Sequence, residues 1–150
     1  MVAIMRAEPG SDSLTGIAGK AVKTVGQALQ FMEPGPILRG PLEGPVDVPV
    51  FYEGVPLDII HYDPYRKAPS PKGRPVHYPA EVDEHEVRSI IGRVLRESYV
   101  LMGAEYREPE NAWIVPVAWR NLIILHVRVS WDGGGLLSDP GLEARLRRIV

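Results

Sequence analysis

Histidine and carboxylate side chains are the residues of this chain best suited to holding a metal ion. His61 and Asp63 are two residues apart, so on a β-strand their side chains share one face. His77 closes the loop that follows, and His85 stands among further carboxylates. Imidazole and carboxylate ligands together suit zinc, iron or manganese. These four residues define one hypothesis, a small metal-assisted hydrolase. The acidic residues around His85 also fit a helix start, where the helix dipole favours them.

A basic loop covers residues 65–78, where Arg66, Lys67, Lys72 and Arg74 occur with no acidic residue among them. Basic side chains interleaved with tyrosines suit single-stranded nucleic acid, because the charges contact phosphates and the rings stack on bases. Against this, the whole chain has a net charge of -2 and the segment before the loop is acidic. We therefore rank nucleic-acid or phosphate binding through these four residues as the third hypothesis for function. A solvated loop without a binding role is the simpler interpretation of this segment.

A four-residue motif lies inside the same loop. Lys72, Gly73, Arg74 and Pro75 resemble the Arg-Gly-Arg-Pro core of the AT-hook, a short element that binds the minor groove of DNA. Lysine replaces the first arginine of that motif, and its second flanking basic cluster is absent here. The resemblance covers these four residues and no more of the chain.

Large apolar side chains between residues 113 and 131 form another group of residues that could serve a function. Trp113, Trp119, Leu122 and Ile124 share one face of a predicted hairpin, on which Trp113 is expected to stack against Arg128. Large aromatic side chains on a sheet face either pack in the core or anchor a partner. We predict that these four apolar residues form a self-association surface.

Composition excludes several classes of protein. The chain has 150 residues, enough for one core, and contains no cysteine, so disulfides, thiolate metal sites and thiol nucleophiles are ruled out. None of its serines lies in a Gly-x-Ser-x-Gly motif, and we do not expect an enzyme. No apolar run approaches the roughly 18 residues of a membrane span, so we expect no membrane span and a cytoplasmic location.

The first and last helices are marked by periodicity and by a cap. Apolar residues recur at helical spacing from about residue 11 to residue 32. Proline and glycine then fill most of residues 34–45, which predicts a linker or a pinned extended arm. Near the end of the chain, Asp139 as N-cap and Pro140 at the first helical position predict a terminal helix.

A central helix is predicted between the two hairpins. Asp83 and Glu86 form a variant of the capping box, because a carboxylate at the N-cap accepts hydrogen bonds from the first free N–H groups. The apolar stripe that follows continues to about Met102, and Gly103 is the expected stop.

Two hairpins are predicted from β-rich runs with two-residue turns. The first joins residues 46–52 to residues 55–62, and its register makes Val46 face His61. The second joins residues 113–119 to residues 122–131. Both faces of the second hairpin are apolar near its turn, so helices or a second subunit must cover them.

These elements predict an α+β fold. An N-terminal helix is followed by two antiparallel hairpins separated by a central helix and closed by a C-terminal helix, with a four-stranded sheet on which the helices pack. We predict an N-terminal helix and linker over residues 1–45 and a single domain over residues 46–150. The leading hypothesis is a non-enzymatic binding or assembly domain that acts as a homodimer and requires no cofactor. The metal-assisted hydrolase is the alternative.

Overall fold

The computed structural model describes residues 12–39, 45–72 and 81–148. The main elements follow the predicted order of helix, hairpin, helix, hairpin and helix, and the α+β class is confirmed. The two hairpins, however, form two antiparallel sheets of five strands each, and not one four-stranded sheet. Short strands from the neighbouring segments pair with the edges of each hairpin, so each hairpin is the centre of a separate sheet.

The first sheet is built around the first predicted hairpin. Its strands are β1 (Glu33–Pro34), β2 (Leu38–Arg39), β3 (Val46–Tyr52), β4 (Val55–Asp63) and β5 (Ala68–Pro69). β1 and β2 pair with one edge of β3, so the described part of the proline- and glycine-rich segment is an extended arm pinned to the sheet. β4 pairs with the other edge of β3, and β5 pairs with β4. Residues 40–44 lie outside the described residues.

The turn of the first hairpin is the predicted two-residue turn, but its register changes along the strands. Glu53 and Gly54 have φ angles of 49° and 80°, the left-handed pair that a tight hairpin turn needs. A bulge between Val50 and Phe51 then shifts the pairing by one residue, so that Val50 lies opposite Asp58 and not Leu57. The predicted pairing of Val46 with His61 is therefore wrong.

The second sheet is built around the second predicted hairpin. Its strands are β6 (Tyr99–Val100), β7 (Glu105–Arg107), β8 (Ala112–Trp119), β9 (Leu122–Ser130) and β10 (Leu136–Leu137). β6 and β7 both pair with one edge of β8, β9 pairs with the other edge, and β10 pairs with β9. The predicted two-residue turn is confirmed, and Arg120 in it has a φ of 54°.

A bulge also changes the register of the second hairpin. The shift lies between Val117 and Ala118, so Trp113 pairs with Val129 and Arg128 pairs with Ile114. The expected stacking of Trp113 against Arg128 is wrong, because the two side chains lie on opposite faces of the sheet. Among the described residues, Arg120 does stack on an aromatic ring: its guanidinium lies 4.2 Å from the centre of the Trp119 ring.

Three helices complete the described chain: α1 (Asp12–Leu29), α2 (Glu84–Glu97) and α3 (Pro140–Arg147). The predicted caps of α2 and α3 are confirmed, since Asp83 accepts from the N–H of His85 at 2.9 Å and Asp139 accepts from that of Leu142 at 3.0 Å. α2 ends at Glu97 and not near residue 102. Ser98 turns into an extended conformation, and the next two residues pair with β8.

The hydrophobic core is one cluster shared by α1, α2 and both sheets. Its largest fully buried side chains include Trp113, Tyr62, Met32 and Ile91. α3 packs against β4 with Leu142 buried. The division of the chain at residue 45 stays a prediction. In the described ranges, no helix is long and apolar enough to cross a membrane.

Candidate functional site

A polar cluster lies where β4 of the first sheet meets β9 of the second. The carboxylate of Asp58, 7% exposed, accepts a hydrogen bond from the backbone N–H of His126 at 2.8 Å. The same oxygen accepts from the ammonium of Lys72 at 2.6 Å, and the other oxygen accepts from the N–H of Ile59 at 2.8 Å. Lys72 also donates to the carbonyl of Ile59 at 2.9 Å. These hydrogen bonds link Asp58, Ile59, Lys72 and His126 into one structural network.

The side chain of His126 lies beside this cluster, half-buried on the same strand. Burial lowers the pKa of His126, the ammonium of Lys72 lowers it further, and the Asp58 carboxylate offsets only part of this. The pKa is therefore below the usual value of 6.5, and the ring is neutral at neutral pH.

A second polar cluster joins α3 to the first sheet. The carboxylate of Asp47 is 4% exposed. It accepts hydrogen bonds from the ring Nδ1 of His61 at 2.8 Å and from the guanidinium of Arg145 at 2.7 Å. Burial raises the pKa of Asp47, but the hydrogen bonds and charges of His61 and Arg145 outweigh it, so the pKa lies below its usual value. This arrangement stabilises a buried carboxylate and fixes α3 over the sheet.

The four predicted metal ligands do not come together in the part of the chain that the structure describes. His61 is engaged with Asp47, whereas Asp63 accepts the backbone N–H groups of Tyr65 and Arg66 and so closes a turn. His85 is exposed in the first turn of α2. His77 lies outside the described residues. Within them, no three histidine or carboxylate side chains are grouped as metal ligands would be.

The basic loop carries its charges next to acids. Arg66 lies 3.9 Å from the carboxylate of Asp63, Lys67 lies 3.3 Å from that of Glu86, and Lys72 binds Asp58. Arg74 falls outside the described residues. The three described cations each face a carboxylate, which lowers the positive field that a phosphate would experience here.

The predicted interface residues lie on the inner face of the second hairpin. Trp113 is fully buried, and its ring N–H donates to the carbonyl of Trp131 at 2.8 Å. Trp119 is 7% exposed and donates to the carboxylate of Glu97 at 3.0 Å. Ile124 is buried, and Leu122 is half-buried against the core cluster. These side chains pack inside the chain.

The opposite face of the same hairpin is apolar and open near the turn. We call it the outer patch and define it by Tyr99, Leu101, Pro116, Ala118 and Ile123. Tyr99, Ala118 and Ile123 form one row across three strands, in which Tyr99 is 46% and Ile123 38% exposed. The sequence signal was the two-sided apolar pattern. That pattern indicated an uncovered face, and the predicted interface residues Trp113, Trp119 and Ile124 lie on the face that the core covers.

Fold and clusters together define an α+β protein in which the buried carboxylate of Asp58 joins the two antiparallel sheets and that of Asp47 joins α3 to the first sheet. No protein-family model, no curated protein and no solved structure matches the chain. Its function has to follow from the chemistry of its own surfaces.

Proposed function

We propose that this chain is a non-enzymatic assembly domain that forms a homodimer through the outer patch. The observation that carries the proposal is the row of Tyr99, Ala118 and Ile123, where two large apolar side chains are exposed on a regular sheet face. Removing such side chains from water contributes about 25 cal/mol for each Å² of apolar area. A second copy can supply the apolar surface that covers them.

The absence of charge within the outer patch supports a second copy as the partner. In a twofold dimer the same patch lies on both partners, so a patch that is apolar throughout meets an equally apolar surface. No member of the outer patch is ionisable near neutral pH, and the bordering His126, opposite Pro116, is neutral because its pKa is lowered. A second copy can therefore cover the patch without burying a charge from within it.

The polar clusters support a structural rather than a catalytic role for the histidines on the strands. The Nδ1 of His61 is committed to Asp47, and His126 contributes its backbone N–H to the junction of the sheets. We also propose a cytoplasmic location, with which the absence of cysteine agrees.

Sedimentation of the parent protein tests the proposal, and we expect a mass near twice 16.6 kDa. Ile123→Glu should give a monomer that remains folded, because it places two like charges in the contact. Leu14→Glu is the matched control: Leu14 is similarly exposed, at 44%, but lies at the start of α1. A parent protein that stays monomeric at all concentrations, or equal effects of both substitutions, would refute the homodimer.

A further inference from the structure

A groove lies between α1, the end of α2 and β6. It shares β6 with the outer patch, because Val100 lines the groove while the adjacent Tyr99 belongs to the patch. Its volume is about 640 Å³, and it is open to solvent along one side. The floor is apolar, with Val22 and Leu29 from α1, Leu95 from α2, and Val100 and Met102 at and beyond β6. Met102 is 86% exposed, so an occupant of the groove would cover the most exposed apolar side chain in the described residues.

The polar part of the groove is positively charged. Lys23 and Arg96 line it, and none of its lining residues is acidic. Arg96 donates to the backbone carbonyls of Leu29 and Met32, which orient the guanidinium without neutralising its charge. An occupant with negative charge is therefore favoured at this position.

The wall formed by β6 offers main-chain hydrogen bonds. Leu101 donates its N–H to the carbonyl of Pro116 in β8 at 3.0 Å, so Leu101 lies at a hydrogen-bonded position of the ladder, where Pro116 has no N–H to return a second bond. In an antiparallel ladder such positions alternate with positions whose N–H and C=O groups point away from the neighbouring strand. Val100, opposite Val117, is of the second kind, so its N–H and C=O point away from β8.

We propose that the groove binds an extended peptide segment that carries both apolar and acidic side chains on the face turned toward α1. The segment adds a strand beside β6, its apolar side chains contact Val100 and Met102, and its carboxylates meet Lys23 and Arg96. An open groove beside a strand edge suits this mode of recognition better than it suits a small molecule, which is usually enclosed over most of its surface.

Gly26 gives a substitution that fills the groove without damaging the fold. A Cβ atom at Gly26 would lie 3.9 Å from the Val100 side chain, an ordinary contact. Leucine is also a better helix former than glycine, so Gly26→Leu should keep α1 intact while its side chain occupies the groove. Gly19→Leu is the matched control, because nothing lies within 4 Å of a Cβ there and Gly19 is outside the groove.

The experiment measures fluorescence anisotropy of two labelled peptides in which every second residue is serine. The residues between the serines alternate between valine and glutamate in one peptide and between valine and lysine in the other. The full chain should bind the glutamate peptide at least about tenfold more tightly. Gly26→Leu and Lys23→Glu should each weaken that binding by about tenfold or more. Gly19→Leu and Arg93→Glu, the control for the charge change, should leave it unchanged.

Three outcomes would overturn the proposal. The first is equal binding of both peptides, or no binding of either. The second is binding of sodium dodecanoate but not of the glutamate peptide, which would make the occupant an amphiphile. The third is a dimer that Gly26→Leu dissociates without added peptide, which would put a second copy in the groove. Because Ile123 does not line the groove, failure of the groove proposal leaves the homodimer proposal standing.

Discussion

Asp58 and His126 are 68 residues apart in the chain, yet the carboxylate of the first accepts the backbone N–H of the second at 2.8 Å. The two residues lie on strands of different sheets, β4 and β9, where the sheets run side by side. Within one sheet, a backbone carbonyl of a neighbouring strand would accept such an N–H. Here the side chain of Asp58 is the acceptor. Lys72 balances the charge of that carboxylate from a third segment of the chain.

Asp58→Ala should lower the free energy of unfolding by about 3 kcal/mol, because it leaves a backbone N–H and a partly buried ammonium without their acceptor. Lys72→Met should cost less, about 1 kcal/mol, since Asp58 keeps the N–H groups of Ile59 and His126. Urea denaturation of both variants gives the comparison, with Glu81→Ala at an exposed site as the control. Equal losses for the two variants would contradict the central role of Asp58.

His126 should make the protein less stable in mild acid. Its pKa in the folded chain lies below 6.5, so between the two values the unfolded chain binds more protons than the folded one. Stability therefore rises with pH through this window and is lost as the pH falls below 6.5 toward the folded pKa. His126→Gln should reduce the loss seen between pH 7.5 and a more acidic pH in urea denaturation. An unchanged loss would show that other groups cause it.

Neighbouring residues 123 and 124 should respond in opposite ways to a new charge. Ile124 is 1% exposed in the core, so Ile124→Glu buries a carboxylate without a partner and should unfold the chain or cost several kcal/mol. Ile123 is on the outer face, so Ile123→Glu should leave the monomer folded and lower the melting temperature only by what dimerisation contributes. Thermal unfolding followed by circular dichroism distinguishes them. A folded, monomeric Ile124→Glu variant would support the self-association surface that the sequence predicts, which includes Ile124.

Local signals in the sequence were sufficient for the helix caps and the turns. Asp83 and Asp139 cap their helices as predicted, and Glu53 and Gly54 form the expected turn. These features depend on the chemistry of a few adjacent residues. A capped start does not set the length of a helix, and α2 ends early because Tyr99 pairs with β8.

The strand registers could not be read in the same way. β-Branched and aromatic residues continue on both sides of each bulge, so the apolar pattern fits two registers equally well. The bulge in the first hairpin moves Tyr62 into the core, and the one in the second separates Trp113 from Arg128. The bond from His126 to Asp58 was not predictable either, because it joins segments whose proximity depends on both registers.

The last prediction concerns the basic loop. Arg66, Lys67 and Lys72 each face a carboxylate, so we expect the parent protein not to be retained on heparin at physiological salt. Arg66→Ala with Lys67→Ala should barely change the melting temperature, because exposed ion pairs contribute only tenths of a kcal/mol. Four phosphate contacts, with Arg74 as the fourth, would instead give a log-log salt slope of about -3.6 on duplex DNA. A submicromolar complex with that slope, lost when all four residues are replaced by alanine, would make nucleic-acid binding the leading function.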